Sequence, residues 1–151
     1  MQPGNRGQNC SVLVCIGLKG VIKSEIRDGA YNSDAFVEFL NDLCDMLPPG
    51  AFLVMDNARI HHSTEVKRVL EETGTLSKYL PPYSPQLNPI EEFFSQLKAR
   101  QARIRPRPKT RGELKASIRA SLSELENQDM KSYYDHMRTW VDRALAGNEF
   151  V

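Results

Sequence analysis

Apolar and polar positions follow two periods along the chain, and the switches between them mark the elements. After a polar opening at residues 1–9, rich in Gly, Asn and Gln, Ser11 to Leu18 (SVLVCIGL) is an unbroken apolar, β-branched run that predicts a strand. Lys19-Gly20 then makes a turn. Val21 to Asp28 places Val21, Lys23, Glu25 and Arg27 on one face and Ile22, Ser24 and Ile26 on the other, predicting a half-exposed antiparallel partner. Asn32 and Ser33 are N-cap candidates for a helix whose apolar stripe is Phe36, Leu40, Leu43 and Leu47, closed by Pro48-Pro49-Gly50.

Ala51 to Asp56 (AFLVMD) is an apolar run ended by an acid, the pattern of a central strand with its carboxylate at the C-terminal edge of a sheet. A loop over Asn57 to His62 leads to a helix from Ser63 to Glu72, with Val66, Val69 and Leu70 inward and Gly74 past its end. Thr75 to Leu80 predicts a short strand. Pro81 to Pro89 holds four prolines in nine residues, which predicts an ordered, largely extended loop. A helix from Asn88 to Arg103 buries Ile90, Phe93, Phe94 and Leu97. Thr110 caps the next, striped by Leu114, Ile118, Leu122 and Leu125, and a last helix from Gln128 to Ala146 carries Tyr133, Met137, Trp140, Val141 and Leu145. That last stripe is expected to pack. The order is ββαβαβα followed by two helices, an α/β arrangement.

The chain's 151 residues suit one domain with a core, and the absence of a repeat period removes solenoids and fibres. A formal charge of +1, from 20 basic and 19 acidic residues, leaves the partner to be decided by where charges lie. Three cysteines, Cys10, Cys15 and Cys44, form no CxxC pair, which predicts reduced, buried thiols in an intracellular protein. No apolar run approaches the roughly 18 residues of a membrane span, and the N-terminus has no signal-peptide core.

Two carboxylates stand where structure fixes them: Asp56 at a strand end and Glu91 in a helix's first turn. Hard cations such as Mg²⁺ take carboxylate oxygens and water, and a pair of such ions suits in-line attack at a phosphodiester. Each acid also has a structural explanation. Glu91 follows Asn88 and Pro89 at capping-box spacing and would accept from the Asn88 N–H, while Asp56 would bond the backbone of Asn57 to Arg59. Glu92 points about 100 degrees from Glu91 and is expected in solvent. His61 and His62 could ligate metal or shuttle protons, but histidines near a helix start more often cap it or face water.

LVMDNARIHHS (Leu53 to Ser63) and LPPYSPQLNPIEEFFSQLK (Leu80 to Lys98), with 34 residues between Asp56 and Glu91, resemble the second and third acidic blocks of the Tc1/mariner and IS630-like DDE transposases. The resemblance covers nearly the whole chain. It implies an RNase H-like mixed sheet flanked by helices, with residues 1–104 a partial catalytic domain and 105–151 a basic linker and C-terminal helices of the same domain. It further implies Mg²⁺ or Mn²⁺ at a two-metal site, with Asp56 and Glu91 as catalytic ligands for cutting transposon ends and joining a 3′-OH to target DNA. The family carries a first catalytic Asp on a strand upstream of the segment resembling Arg6 to Gly20, and this chain begins after it. Asp28 and Asp34 are better explained as turn and cap residues than as substitutes. The resemblance therefore implies a weakened metal site, little nuclease activity from this chain alone and an aggregation-prone fold.

Seven basic residues and no acid lie between Lys98 and Arg111: Lys98, Arg100, Arg103, Arg105, Arg107, Lys109 and Arg111. They could neutralise DNA phosphates or form a solvated linker, and Pro106 and Pro108 would keep them extended. The resemblance implies DNA as partner, a homodimer and no membrane, in the nucleus of a eukaryote and otherwise in the cytoplasm. The alternatives are a non-catalytic nucleic-acid-binding or assembly protein derived from a transposase, and a relic without function.

Overall fold

The computed structural model describes residues 10–56, 58–81 and 85–145. β1 (Cys10–Gly17) and β2 (Gly20–Asp28) form an antiparallel hairpin, and β3 (Phe52–Met55) pairs in parallel with β4 (Leu76–Tyr79). The helices are α1 (Ser33–Met46), α2 (Thr64–Thr73), α3 (Ile90–Arg103), α4 (Arg111–Leu125) and α5 (Lys131–Leu145). The mixed α/β class is the expected one. Its strands are divided into two ladders, β1-β2 and β3-β4.

Both faces of the hairpin meet helices, while β2 stays partly exposed along its length, as its alternation suggested. Leu13, Cys15 and Ile22 pack on the α1–α2 cluster around Phe36, Leu40 and Val66. Val12, Val14, Ile16, Val21 and Ile26 pack on the α3–α4–α5 cluster around Phe93, Leu125 and Met130. A bulge makes this possible: the register shifts between Cys15, opposite Lys23, and Ile16, opposite Val21, so Ile22 is the extra residue and turns to the α1 side. Lys23 is accommodated by its stem, with the ammonium 5.2 Å over the Phe39 ring and 3.8 Å from Asp42. Burial of Leu40, Val66 or Phe93 stabilises by roughly 2 kcal/mol each.

Local chemistry sets the helix ends. Asn32 caps α1 by accepting from the Ala35 N–H at 2.8 Å, and Ser63 caps α2 through Val66. Gly74, at φ 68°, closes α2 in the left-handed conformation. Thr110 and Glu113 form a reciprocal capping box on α4. Gly20 has a different requirement, because a Cβ there would lie 2.3 Å from the Glu126 carbonyl oxygen. That contact, with Val21 N–H donating to Glu126 O at 2.9 Å and Met130 N–H to Leu18 O at 3.0 Å, ties the hairpin turn to the α4–α5 junction.

β3 was expected as a central strand, and among the described residues it has one neighbour, β4. Its Phe52 and Val54 are accordingly 59% and 45% exposed. The proline-rich loop ends in a 3₁₀ turn over Pro85–Leu87 and α5 begins at Lys131; residues 82–84 lie outside the description. Of the last-helix stripe, Tyr133 is buried and Met137 half-buried, as expected for packing, while the Trp140, Val141 and Leu145 side chains lie outside the described residues.

Candidate metal-binding cleft

Asp56 follows the last residue of β3, and the parallel ladder holds that end in place: Met55 is opposite Tyr79, and Leu80 N–H donates to Met55 O at 2.9 Å. The chain then turns back on itself. Asp56 Oδ1 accepts from the Ala58 N–H at 3.0 Å, as the turn-carboxylate explanation required, and a 3₁₀ turn over Arg59–His62 follows.

His61 is the larger finding in this segment. Its Nδ1 lies 2.9 Å from Asp56 Oδ1 and 3.1 Å from the Asp56 carbonyl oxygen. Both neighbours are acceptors, so Nδ1 carries the hydrogen and donates to them. Only 13% of the His61 side chain is exposed, against 56% for Asp56, and its ring lies 4.5 Å from that of Phe36. His61 is thus not in solvent. The Tyr79 hydroxyl donates to the His61 carbonyl, and His62 stacks on the Tyr79 ring at 3.9 Å. Burial raises the Tyr79 pKa, keeping that hydroxyl a donor. The result is a braced carboxylate with Oδ1 occupied and Oδ2 without a partner among the described residues.

Glu91 lies in the first turn of α3, and its side chain is not the cap the sequence allowed. Asn88 Oδ1 accepts from Ile90 N–H at 3.3 Å and the Asn88 carbonyl from Glu91 N–H at 3.1 Å, so Asn88 satisfies the helix start without Glu91. The Glu91 carboxylate is exposed and has no hydrogen bond or ion pair among the described residues. The capping box instead forms at Thr110 and Glu113. Glu92, expected in solvent, is half-buried and pairs with His136 of α5.

Asp56, His61 and Glu91 all line one cavity of about 840 Å³. Asp28 and Asp34 do not line it. Asp28 pairs with Lys115 at 3.1 Å and Arg111 at 3.9 Å, and Asp34 occupies the first turn of α1. Among the described residues, no group of three or more His, Cys, Asp or Glu side chains is placed to hold a metal ion.

Residues 1–115 match a family profile described as DDE superfamily endonuclease. The chain belongs to this family. The Mos1 transposase catalytic domain, solved with raltegravir and Mg, matches the DDE chain with a TM-score of 0.72 at 20% identity over 93% of it and 76% of that domain. The Mos1 strand transfer complex matches at 0.74 and 20% identity, over 100% of this chain and 47% of that one. The Mos1 paired-end complex with the left transposon end matches at 0.73 and 19%, over 95% and 44%. At these identities the likeness establishes the RNase H-like transposase catalytic fold. The DDE chain thus spans about three quarters of the catalytic domain and less than half of the chains in the complexes. None of the curated proteins matches it.

The basic run of the DDE chain is only partly available. Arg105 donates to the Ala102 and Ile104 carbonyls at 2.9 and 2.8 Å, and Arg107 to the Gln101 carbonyl at 3.2 Å, so both satisfy the C-terminal end of α3. Arg100 pairs with Glu124 and Arg111 with Asp28. Acids remote in sequence fill the gap that the linear run displayed. Lys98 and Arg103 remain exposed on α3. No described helix is long and apolar enough to cross a membrane.

Proposed function

We propose that this chain supplies the Asp56 and Glu91 portion of a divalent-cation-dependent centre for cutting and joining DNA in transposition. The observation that carries this reading is that two carboxylates, with 34 residues between them in sequence and each with oxygen left unbonded by its own turn, open onto one cavity. Hard carboxylate oxygens suit Mg²⁺ or Mn²⁺, with water completing the shell. When bound, such a cation supplies Lewis-acid activation of water and a phosphodiester. Asp56 would offer Oδ2, Glu91 either oxygen, and His61 would hold the Asp56 carboxylate in one orientation.

With two acids in place of three, the centre is expected to bind metal weakly and to turn over little by itself. Transposon-end and target DNA are the proposed partners, contacted by Lys98 and Arg103, with Arg100, Arg105, Arg107, Lys109 and Arg111 as further phosphate contacts. Solved Mos1 complexes contain transposon ends, which supports DNA as partner, and a second copy of this chain as co-partner fits a paired-end arrangement. In a nucleated cell the place of action would be the nucleus. The lack of a three-residue metal group among the described residues favours a second reading, a non-catalytic DNA-binding derivative of a transposase.

Supercoiled plasmid incubated with the chain and Mn²⁺ decides between them. Slow nicking lost in Asp56→Asn and in Glu91→Gln supports the catalytic reading. Metal-independent DNA binding with no nicking supports the derivative. Fast nicking sensitive to both substitutions would contradict the proposed impairment.

A further inference from the structure

The cavity that Asp56 and Glu91 share is also lined by Lys78 of β4, its one lysine or arginine among the described residues. The ladder fixes where that residue sits. Leu53 and Met55 of β3 and Tyr79 of β4 pack on the α1–α2 cluster. Successive strand residues alternate between faces, so Val54 and the Lys78 paired with it take the other face, toward the layer of α3 and α5. Glu91 comes from that same layer, in the first turn of α3.

Asp56 follows Val54 by two residues, about 6.6 Å along the strand, and a paired strand lies about 4.8 Å away, which puts the Lys78 and Asp56 backbones about 8 Å apart. The four-carbon lysine stem covers most of that distance. Lys78 nevertheless does not pair with Asp56. It is exposed and has no ion pair or hydrogen bond among the described residues, whereas Lys23, Lys115 and Lys131 each face an acid.

An unpaired ammonium beside two carboxylates has a use when the ligand is anionic. Asp56 and Glu91 carry two negative charges between them, which one divalent cation offsets, and a phosphodiester then adds one more. Lys78 supplies the matching positive charge within the cavity. Lys98 and Arg103 cannot, because they stand seven and twelve residues along α3 from Glu91, roughly 10 and 18 Å away.

We propose that Lys78 receives the phosphodiester at this centre, its ammonium donating to a nonbridging oxygen of the phosphate that meets the cation between Asp56 and Glu91. The proposal rests on the reading of those two acids as cation ligands and adds the residue that holds the substrate beside them. A charge-assisted contact of this kind is stronger than one between neutral groups, and it positions the DNA backbone without reading its sequence.

Two measurements on the full chain test it: Mn²⁺ affinity by calorimetry without DNA, and the salt dependence of binding to a fluorescent DNA duplex in Ca²⁺, which takes the same oxygen donors. Lys78→Gln removes a positive charge near the carboxylates, so Mn²⁺ should bind two- to fivefold more tightly, about what a like charge some 8 Å away contributes in screened water. The same variant should lower the slope of log affinity against log salt by about 1, and Lys78→Arg should keep the parent slope. Asp56→Asn should move Mn²⁺ affinity the opposite way. An unchanged slope in Lys78→Gln overturns the proposal, and so does a lower slope with Mn²⁺ affinity unchanged or weaker, which would put Lys78 on DNA away from the acids. If the parent binds no Mn²⁺, the centre and the part of Lys78 in it fall together; if the parent binds Mn²⁺ and Lys78→Gln fails either measurement, the part of Lys78 falls alone.

Discussion

His61 Nδ1 donates to Asp56 Oδ1 across 2.9 Å and to the Asp56 carbonyl oxygen across 3.1 Å. One ring nitrogen therefore fixes both the side chain and the backbone of the residue proposed to hold a cation. Partners of this type commonly contribute 10- to 100-fold to metal affinity. His61→Ala is expected to weaken Mn²⁺ binding by about tenfold, and His61→Asn, whose amide N–H can reach the same oxygens, to recover part of it. Calorimetric titration of the three proteins checks this. Equal affinities would show that His61 only packs against Phe36.

Gly20 joins the hairpin turn to the α4–α5 junction, and its φ of 141° is joined by the 2.3 Å approach that a Cβ would make to Glu126 O. Gly20→Ala is expected to cost about 2 kcal/mol or more, because a backbone carbonyl must move. Gly29, at φ 76° with open space around it, serves as the control and should cost about 1 kcal/mol. Urea unfolding of both variants measures the difference.

Burial, reinforced by the neighbouring Cys44 thiol, pushes the Cys15 pKa up to about 11 from 9.0. The folded state holds the proton more tightly than the unfolded chain, so the stabilisation is complete below pH 9 and is lost as pH rises from about 9 to 11. The loss is on the order of 2 kcal/mol. Urea midpoints at pH 8 and pH 10.5 should fall more steeply in the parent than in Cys15→Ala. Tyr79, Tyr133 and Tyr134, also raised by burial, add the same trend to both proteins.

Lys98 and Arg103 differ from Arg105 and Arg107 in what they touch, and their substitutions should separate. The Lys98→Ala/Arg103→Ala pair should reduce the salt dependence of non-specific DNA binding by a slope of about 2 and leave the melting temperature unchanged. Arg105→Ala/Arg107→Ala should, besides any loss of phosphate contacts, lower the melting temperature by releasing the α3 carbonyls. Fluorescence anisotropy over a salt series, with thermal melts, distinguishes the two.

Much of this was legible in the chain because local chemistry decided it. Asn32, Ser63, Gly74 and Thr110 terminate helices where their side chains or backbone freedom demand, and the stripe of α1 is the buried one. Motif spacing singled out Asp56 and Glu91, and the fold brings both to the lining of a single cavity. What escaped was non-local. The bulge that turns Ile22 inward depends on pairing, and the pairing of Glu92 with His136 joins residues 44 apart. The basic run is linear in sequence, but folding brings Asp28 and Glu124 to it. His61 was visible in the D-N-A-x-x-H spacing, although nothing local told that the turn would bring Nδ1 back onto Asp56.

Mn²⁺ titration of the parent, Asp56→Asn, Glu91→Gln and the double variant tests the shared site most directly. If one cation bridges the two carboxylates, each single substitution weakens binding more than His61→Ala does, and the double variant is little worse than either single one. Parent-like affinity in both single variants would contradict the account.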